Sequence, residues 1–130
     1  MKTRILLMGL MLAFLAVSCN KNQQVVKKLD GQWKLSKYNG QVVPDAQATV
    51  LTFTSCKLKT DEICDVSAQT GSQTINYKYL VQDDGKTLVT KNAAGTITLQ
   101  ESTIESLDKS NLKLKYSDGS NQITTEYVKQ

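Results

Sequence analysis

The chain has 130 residues, one Pro, seven Gly and 40% hydrophobic content, which suits one folded domain and excludes both a disordered polymer and two separate cores. Its formal charge of +4 falls to +2 once Lys2 and Arg4 are set aside, too small an excess for a nucleic-acid footprint. It has no His, and Arg4 is its only Arg, so beyond that position there is neither an imidazole base nor a guanidinium clamp for phosphate.

Lys2 and Arg4 lead into an apolar run from Ile5 to Ala16, and Ala16, Val17 and Ser18 are small or short residues before Cys19. Twelve residues are too few to cross a hydrocarbon core about 30 Å thick as a helix, and no polar face interrupts them. The pattern predicts an export signal over residues 1–18. Leu15-Ala16-Val17-Ser18-Cys19 resembles the lipobox of bacterial lipoproteins, with Ala16 standing where that family prefers Leu. The resemblance implies cleavage before Cys19 and attachment of acyl chains to its thiol. Cysteine parity agrees, because Cys19, Cys56 and Cys64 leave an odd thiol in an oxidising compartment unless one sulfur is occupied otherwise.

A chain acylated at Cys19 sits on a membrane without crossing it. By resemblance to known sorting signals, Asn20 after the Cys implies the outer membrane, and the lack of a following acidic run implies its periplasmic face. Residues 19–29 then read as the acylated Cys and a polar tether, whose span from Asn20 to Leu29 extends at most about 35 Å.

From residue 30 to 130 apolar and polar residues alternate between turn signals, which predicts an all-β domain. Trp33 and Leu35 share one face of a first strand, and Asn39-Gly40 supplies a tight hairpin turn. Leu51 and Phe53 mark the next strand after Pro44-Asp45. Cys56 and Cys64 flank a charged tip; in an exported protein a bond between them closes a nine-residue ring and adds about 2.5 kcal/mol in the chain-entropy model. The spacing is not that of a C-x-x-C redox pair, and no His joins the sulfurs to hold a metal.

Ile75, Tyr77, Tyr79 and Val81 share a face of a strand ending at Asp83-Asp84-Gly85. Leu88 with Thr90, and Ile97 with Leu99, flank Ala94-Gly95. The alternation breaks between Ser102 and Asp108, where a bulge, corner or helical turn is expected. Leu112, Leu114 and Tyr116 lead to Asp118-Gly119, and Ile123, Thr125 and Tyr127 close the chain. Eight or nine strands in sequential hairpins predict a small antiparallel up-and-down β-barrel, since closure removes exposed edges.

Gly31-Gln32-Trp33 at the head of this ladder resembles the G-x-W of lipocalins, and the whole resembles the short lipocalin-like domains of Bacteroidetes lipoproteins. The resemblance implies that Trp33 lies across the closed end of an eight-stranded barrel. The family covers that Trp with an Arg from a late strand; here Lys113 or Lys115 is the expected substitute.

Tyr77, Tyr79, Tyr116 and Tyr127 fall on the face assigned inward with Trp33. Either these rings fill the barrel or they line a cavity for a small apolar or aromatic ligand. Asp83-Asp84, Asp61-Glu62-Asp65 and Glu101-Glu105 offer carboxylates, but none matches a calcium loop, and no nucleophile stands beside an identifiable base. The expected function is therefore non-catalytic, without metal or cofactor. A small-molecule carrier is the first expectation. The alternative is a protein-interaction or inhibitor-type module that binds an envelope or secreted protein through Asn39-Gly40, the Cys56–Cys64 tip and Asp118-Gly119.

Overall fold

The computed structural model describes residues 20–57 and 63–130; the expected export signal, Cys19, and Asp61 and Glu62 of the charged tip lie outside them. The first element corrects the expected tether. Lys21–Leu29 is a helix, α1, whose start is capped by the Asn20 side chain accepting the Asn22 N–H at 2.9 Å, a normal N-cap arrangement. Val25, Val26 and Leu29 fall on one face, with Val26 and Leu29 fully buried, while Lys21, Gln24, Lys27 and Lys28 face outward and are exposed. A nine-residue helix is marginal alone, so its stability comes from packing on the rest of the domain.

Among the described residues nine strands follow: β1 Gly31–Tyr38, β2 Gln41–Val42, β3 Val50–Phe53, β4 Cys64–Thr70, β5 Gln73–Gln82, β6 Thr87–Lys91, β7 Thr98–Leu107, β8 Asn111–Ser117 and β9 Gln122–Lys129. All pair antiparallel in the order β2-β1-β3-β4-β5-β6-β7-β8-β9, and β9 returns to β1 with Trp33 opposite Lys129 and Tyr38 opposite Thr125. The domain is a closed, lipocalin-like eight-stranded barrel with the two-residue β2 as an extra strand folded back on β1. Asn39 and Gly40 make that turn at φ of 49° and 79°, the left-handed pair that matches the twist of a two-residue hairpin.

Connectivity sorts the turns into two ends. The β3–β4, β5–β6 and β7–β8 connections share an end with α1, whereas Asn39-Gly40 and the β4–β5, β6–β7 and β8–β9 turns share the other. Helix α1 closes the first end and is hydrogen-bonded there to the β5–β6 turn, the β3–β4 connection and β1. Asn22 Oδ1 accepts the Gly85 N–H at 2.7 Å, Gln23 Nε2 donates to the Cys56 carbonyl at 2.8 Å, and the Leu29 carbonyl accepts Trp33 Nε1–H at 2.7 Å. The buried cluster joins Val26 and Leu29 to Trp33, Phe53, Tyr79, Val81, Leu88 and Leu112, so the dry core occupies the closed half.

Trp33 lies across the closed end as the G-x-W resemblance implies, but the cation over it is Lys129, with Nζ 5.1 Å from the ring centroid. Lys113 and Lys115 alternate with the buried Leu112 and Leu114 on β8 and so point outward. Lys129 Nζ also donates to the Asp30 carbonyl at 2.8 Å. Gly31 makes this crossing feasible: it sits at φ +115°, and a Cβ there would meet Lys129 Cε at 3.1 Å.

Three bulges shift which residues face inward. The one between Ile104 and Ser106 falls in the expected Ser102–Asp108 stretch. A second, between Thr90 and Lys91, places Gln100 opposite Thr90 and Ser102 opposite Leu88. The expectation of Ile97 and Leu99 as an apolar inner pair is corrected: Ile97, just before β7, and Leu99 are 60% and 54% exposed, and Ser102 is buried. The third, between Leu35 and Lys37, aligns Tyr38 with the inward-facing Thr125.

Cys56 and Cys64 are bonded, with their Cα atoms 5.5 Å apart. The bridge joins the β3–β4 connection to the base of β4, and Cys64 belongs to the core. Reduction is expected to lower stability by about 2.5 kcal/mol without loss of the barrel. Melting curves with and without reductant, followed by near-ultraviolet circular dichroism, measure this; coincident curves would contradict it.

Candidate functional site

The half of the barrel away from α1 is hollow. A cavity of about 260 Å³ opens there, lined on one side by Leu51, Phe53, Val66, Ala68 and Leu88, and on the other by Thr90, Gln100, Ser102, Leu114 and Tyr127, with Tyr77 and the exposed Leu99 at its edge. The strand alternation explains the apolar side, because Leu51 and Phe53 on β3 pair with Ala68 and Val66 on β4 and bring the same face inward. The bulge on β7 explains the polar side.

Of the residues singled out in the sequence, Tyr77 and Tyr127 line this cavity. Trp33 and Tyr79 are fully buried and belong to the core beneath it. The Tyr79 ring meets Phe53 edge-on at 5.0 Å, and its hydroxyl donates to the Thr54 carbonyl at 3.2 Å. Tyr79 thus fixes the Phe53 ring that forms part of the cavity wall, and burial pushes its phenol far above the usual range. Tyr116 is partly buried beside a separate depression next to the β8–β9 turn. Burial raises its phenol, and nearby Tyr38 and Tyr127 add to the shift. Tyr38 was not legible as a site residue, because the strict alternation of β1 points it outward; the bulge turns it toward Tyr116.

The polar groups on the inner wall are few, and of them Ser102 and Thr125 are buried. Gln100 Nε2 donates to Ser102 Oγ at 2.9 Å, and Ser102 is 1% exposed. The Thr125 hydroxyl, on a residue 4% exposed, finishes without a hydrogen bond of normal geometry among the described residues, and its phenolic neighbour is Tyr127. Burial raises the Tyr127 phenol, partly offset by Thr125, so it stays protonated and able to donate at neutral pH. A mostly apolar pocket with a small polar patch on one wall is the usual make-up of a small-molecule site.

Other candidates lie elsewhere. Asp83 Oδ2 accepts from Thr87 Oγ1 at 2.8 Å in the β5–β6 turn, at the closed end. Asp65 is paired with Lys78 on the outer surface, in a groove of about 380 Å³ lined largely by Thr52, Thr54, Ser67 and Asn76; that groove is polar and outside the barrel. Glu105 lies 3.8 Å from both Lys113 and Lys115. The loop tips considered for a protein partner are split between the ends: Asn39 bonds to Thr124 near the open end, while Cys56 and Cys64 stand at the closed end. Asn39-Gly40 and Asp118-Gly119 share the open end, and the Cys56–Cys64 bridge does not join them.

No protein-family model matches the sequence, and no match to it was found among curated proteins or solved structures.

Proposed function

We propose that the chain is an exported lipoprotein, acylated at Cys19 and held at the outer membrane, whose barrel binds a small apolar or aromatic ligand without catalysis. The observation that carries the binding reading is the hollow upper half of the barrel. A fully packed interior would favour the protein-binding alternative; of the tips considered for it, Asn39-Gly40 and Asp118-Gly119 share the open end and the Cys56–Cys64 bridge stands at the other.

The cavity sets the ligand's size. At about 260 Å³ it falls just under the roughly 300–1,000 Å³ of drug-sized pockets, which suits one fused ring or a short branched chain and excludes a long-chain lipid held entirely inside. One polar function on the ligand suffices for the Tyr127, Gln100 and Ser102 wall. Ile75, Ile97 and Leu99, all about half exposed, offer apolar surface for entry.

Ala68 tests this directly, because its methyl group faces the cavity between Leu51 and Ile75. Ala68→Phe is expected to weaken binding of a naphthalene-sized fluorophore by about tenfold or more, at a stability cost of about 1–3 kcal/mol if the ring is overpacked. Equal affinity in the two proteins would overturn the cavity as the binding site. Native mass spectrometry of the protein taken from its own envelope adds a second readout: a retained small mass supports the carrier, and a co-purifying protein supports the alternative. The same spectrum reads the acyl mass on Cys19, and an unmodified cysteine there would end the lipoprotein reading.

A further inference from the structure

We infer that the closed end of the barrel is a docking face for anionic phospholipid headgroups, so that the protein stands on its helix with the cavity mouth turned away from the membrane. The inference rests on the proposed acylation for its geometry. Cys19 stands two residues before Lys21, the first residue of α1, so acyl chains on it are held within about 7 Å of the helix start. The span assigned to a tether is packed onto the barrel instead, and the domain cannot stand off from the bilayer.

The chemistry of the outward surface fits that position. Helix α1 contains no acidic residue, and its solvent face presents Lys21, Gln24, Lys27 and Lys28. Lys27 and Lys28 share a groove of about 450 Å³ with Lys109 from the β7–β8 turn, Lys129, Leu107 and Asp108. Among the described residues four lysines of this groove surround one carboxylate, Asp108, which stays ionised while its Oδ1 accepts the Ser110 and Asn111 N–H groups at 2.8 Å each; Asp30, whose Oδ1 accepts the Ser55 N–H at 2.9 Å, lies outside the groove lining. Asp83 and Asp84 sit beyond the opposite flank of α1, in the turn that Asn22 holds, beside Lys86. The basic excess is therefore concentrated on the Lys27, Lys28 and Lys109 flank. Clustered lysines next to a lipid anchor are attracted to an anionic leaflet, over the range of the Debye length.

The test uses the full chain purified from its envelope, reconstituted into vesicles of phosphatidylethanolamine with phosphatidylglycerol and, separately, of phosphatidylcholine alone. Surface amines are labelled with a water-soluble acylating reagent and read by peptide mass. In the anionic vesicles Lys27, Lys28 and Lys109 are expected to label about threefold or more slowly than in phosphatidylcholine, while Lys37 and Lys91 near the mouth label alike in both. Salt at 0.5 M, an ionic strength at which the Debye length is about 4 Å, should erase the difference. The K27Q/K28Q variant should lose the protection at Lys109 yet remain in the membrane.

Equal labelling in the two lipids, or protection at Lys37 and Lys91, would overturn the docking face even with Cys19 acylated. If Cys19 carries no lipid, the lipoprotein reading fails separately, and the docking face is then judged by whether the protein floats with anionic vesicles: flotation abolished by K27Q/K28Q supports it, and no flotation overturns it.

Discussion

Trp33→Ala is expected to cost about 3–5 kcal/mol, a fall in melting temperature of about 15 °C for a domain of this size. The indole is fully buried, at the point where α1, β1 and the end of β9 meet, and its removal leaves a void that the closed strands cannot collapse to fill. Two milder changes separate its contributions. Trp33→Phe retains most of the apolar area but leaves the Leu29 carbonyl without its donor, for about 1–2 kcal/mol. Lys129→Met keeps the aliphatic cover and loses the ammonium over the ring, for about 1 kcal/mol. Urea unfolding followed by circular dichroism measures all three. A Trp33→Ala protein within 1 kcal/mol of the parent would mean that the closed end contributes little to folding, contrary to the packing described.

The strands were legible because most of them obey strict alternation over five or more residues. Ile75 to Val81 and Leu112 to Tyr116 each keep one apolar face, and the Asn39-Gly40, Asp84-Gly85 and Asp118-Gly119 turns are marked by residues that tolerate positive φ. What the pattern missed follows from two physical causes. A bulge changes which residues face inward without changing composition, so Gln100 and Ser102, which the alternation of Ile97 and Leu99 does not place inside, line the cavity, while Ile97 and Leu99 are half exposed. The cation over Trp33 was misplaced for a related reason, since facing Lys113 or Lys115 toward the indole would require β8 to turn its leucines outward.

The second cause is that α1 has only three apolar residues, Val25, Val26 and Leu29, among lysines and amides. Such a segment is helical only where a barrel end is present to receive that face. The hollow upper half is likewise a property of the closed barrel and of side-chain volumes across it. Tyr77 and Tyr127 could be placed inside from alternation alone, but whether they filled the space or bordered it depended on Ala68 and Ser102 being small.

Replacing both Val26 and Leu29 by Ala tests whether that helix is structural. Each side chain is fully buried, and losing the two together is expected to cost about 4 kcal/mol or more, with some coupling because they belong to one cluster. The location of the damage is as informative as its size. Amide hydrogens of α1 should exchange at nearly the free-peptide rate in the double variant, and the Gly85 N–H bonded to Asn22 should follow them, while the central amides of β8 and β9 stay protected to the remaining global stability. Lys27→Gln with Lys28→Gln, on the exposed face of the same helix, should leave both stability and exchange within about 0.5 kcal/mol of the parent. If the alanine pair instead behaves like the glutamine pair, residues 21–29 are a tether after all. The barrel would then have to close its lower end with Trp33 and Lys129 alone, and the short link between anchor and domain on which the membrane orientation depends would be lost with it.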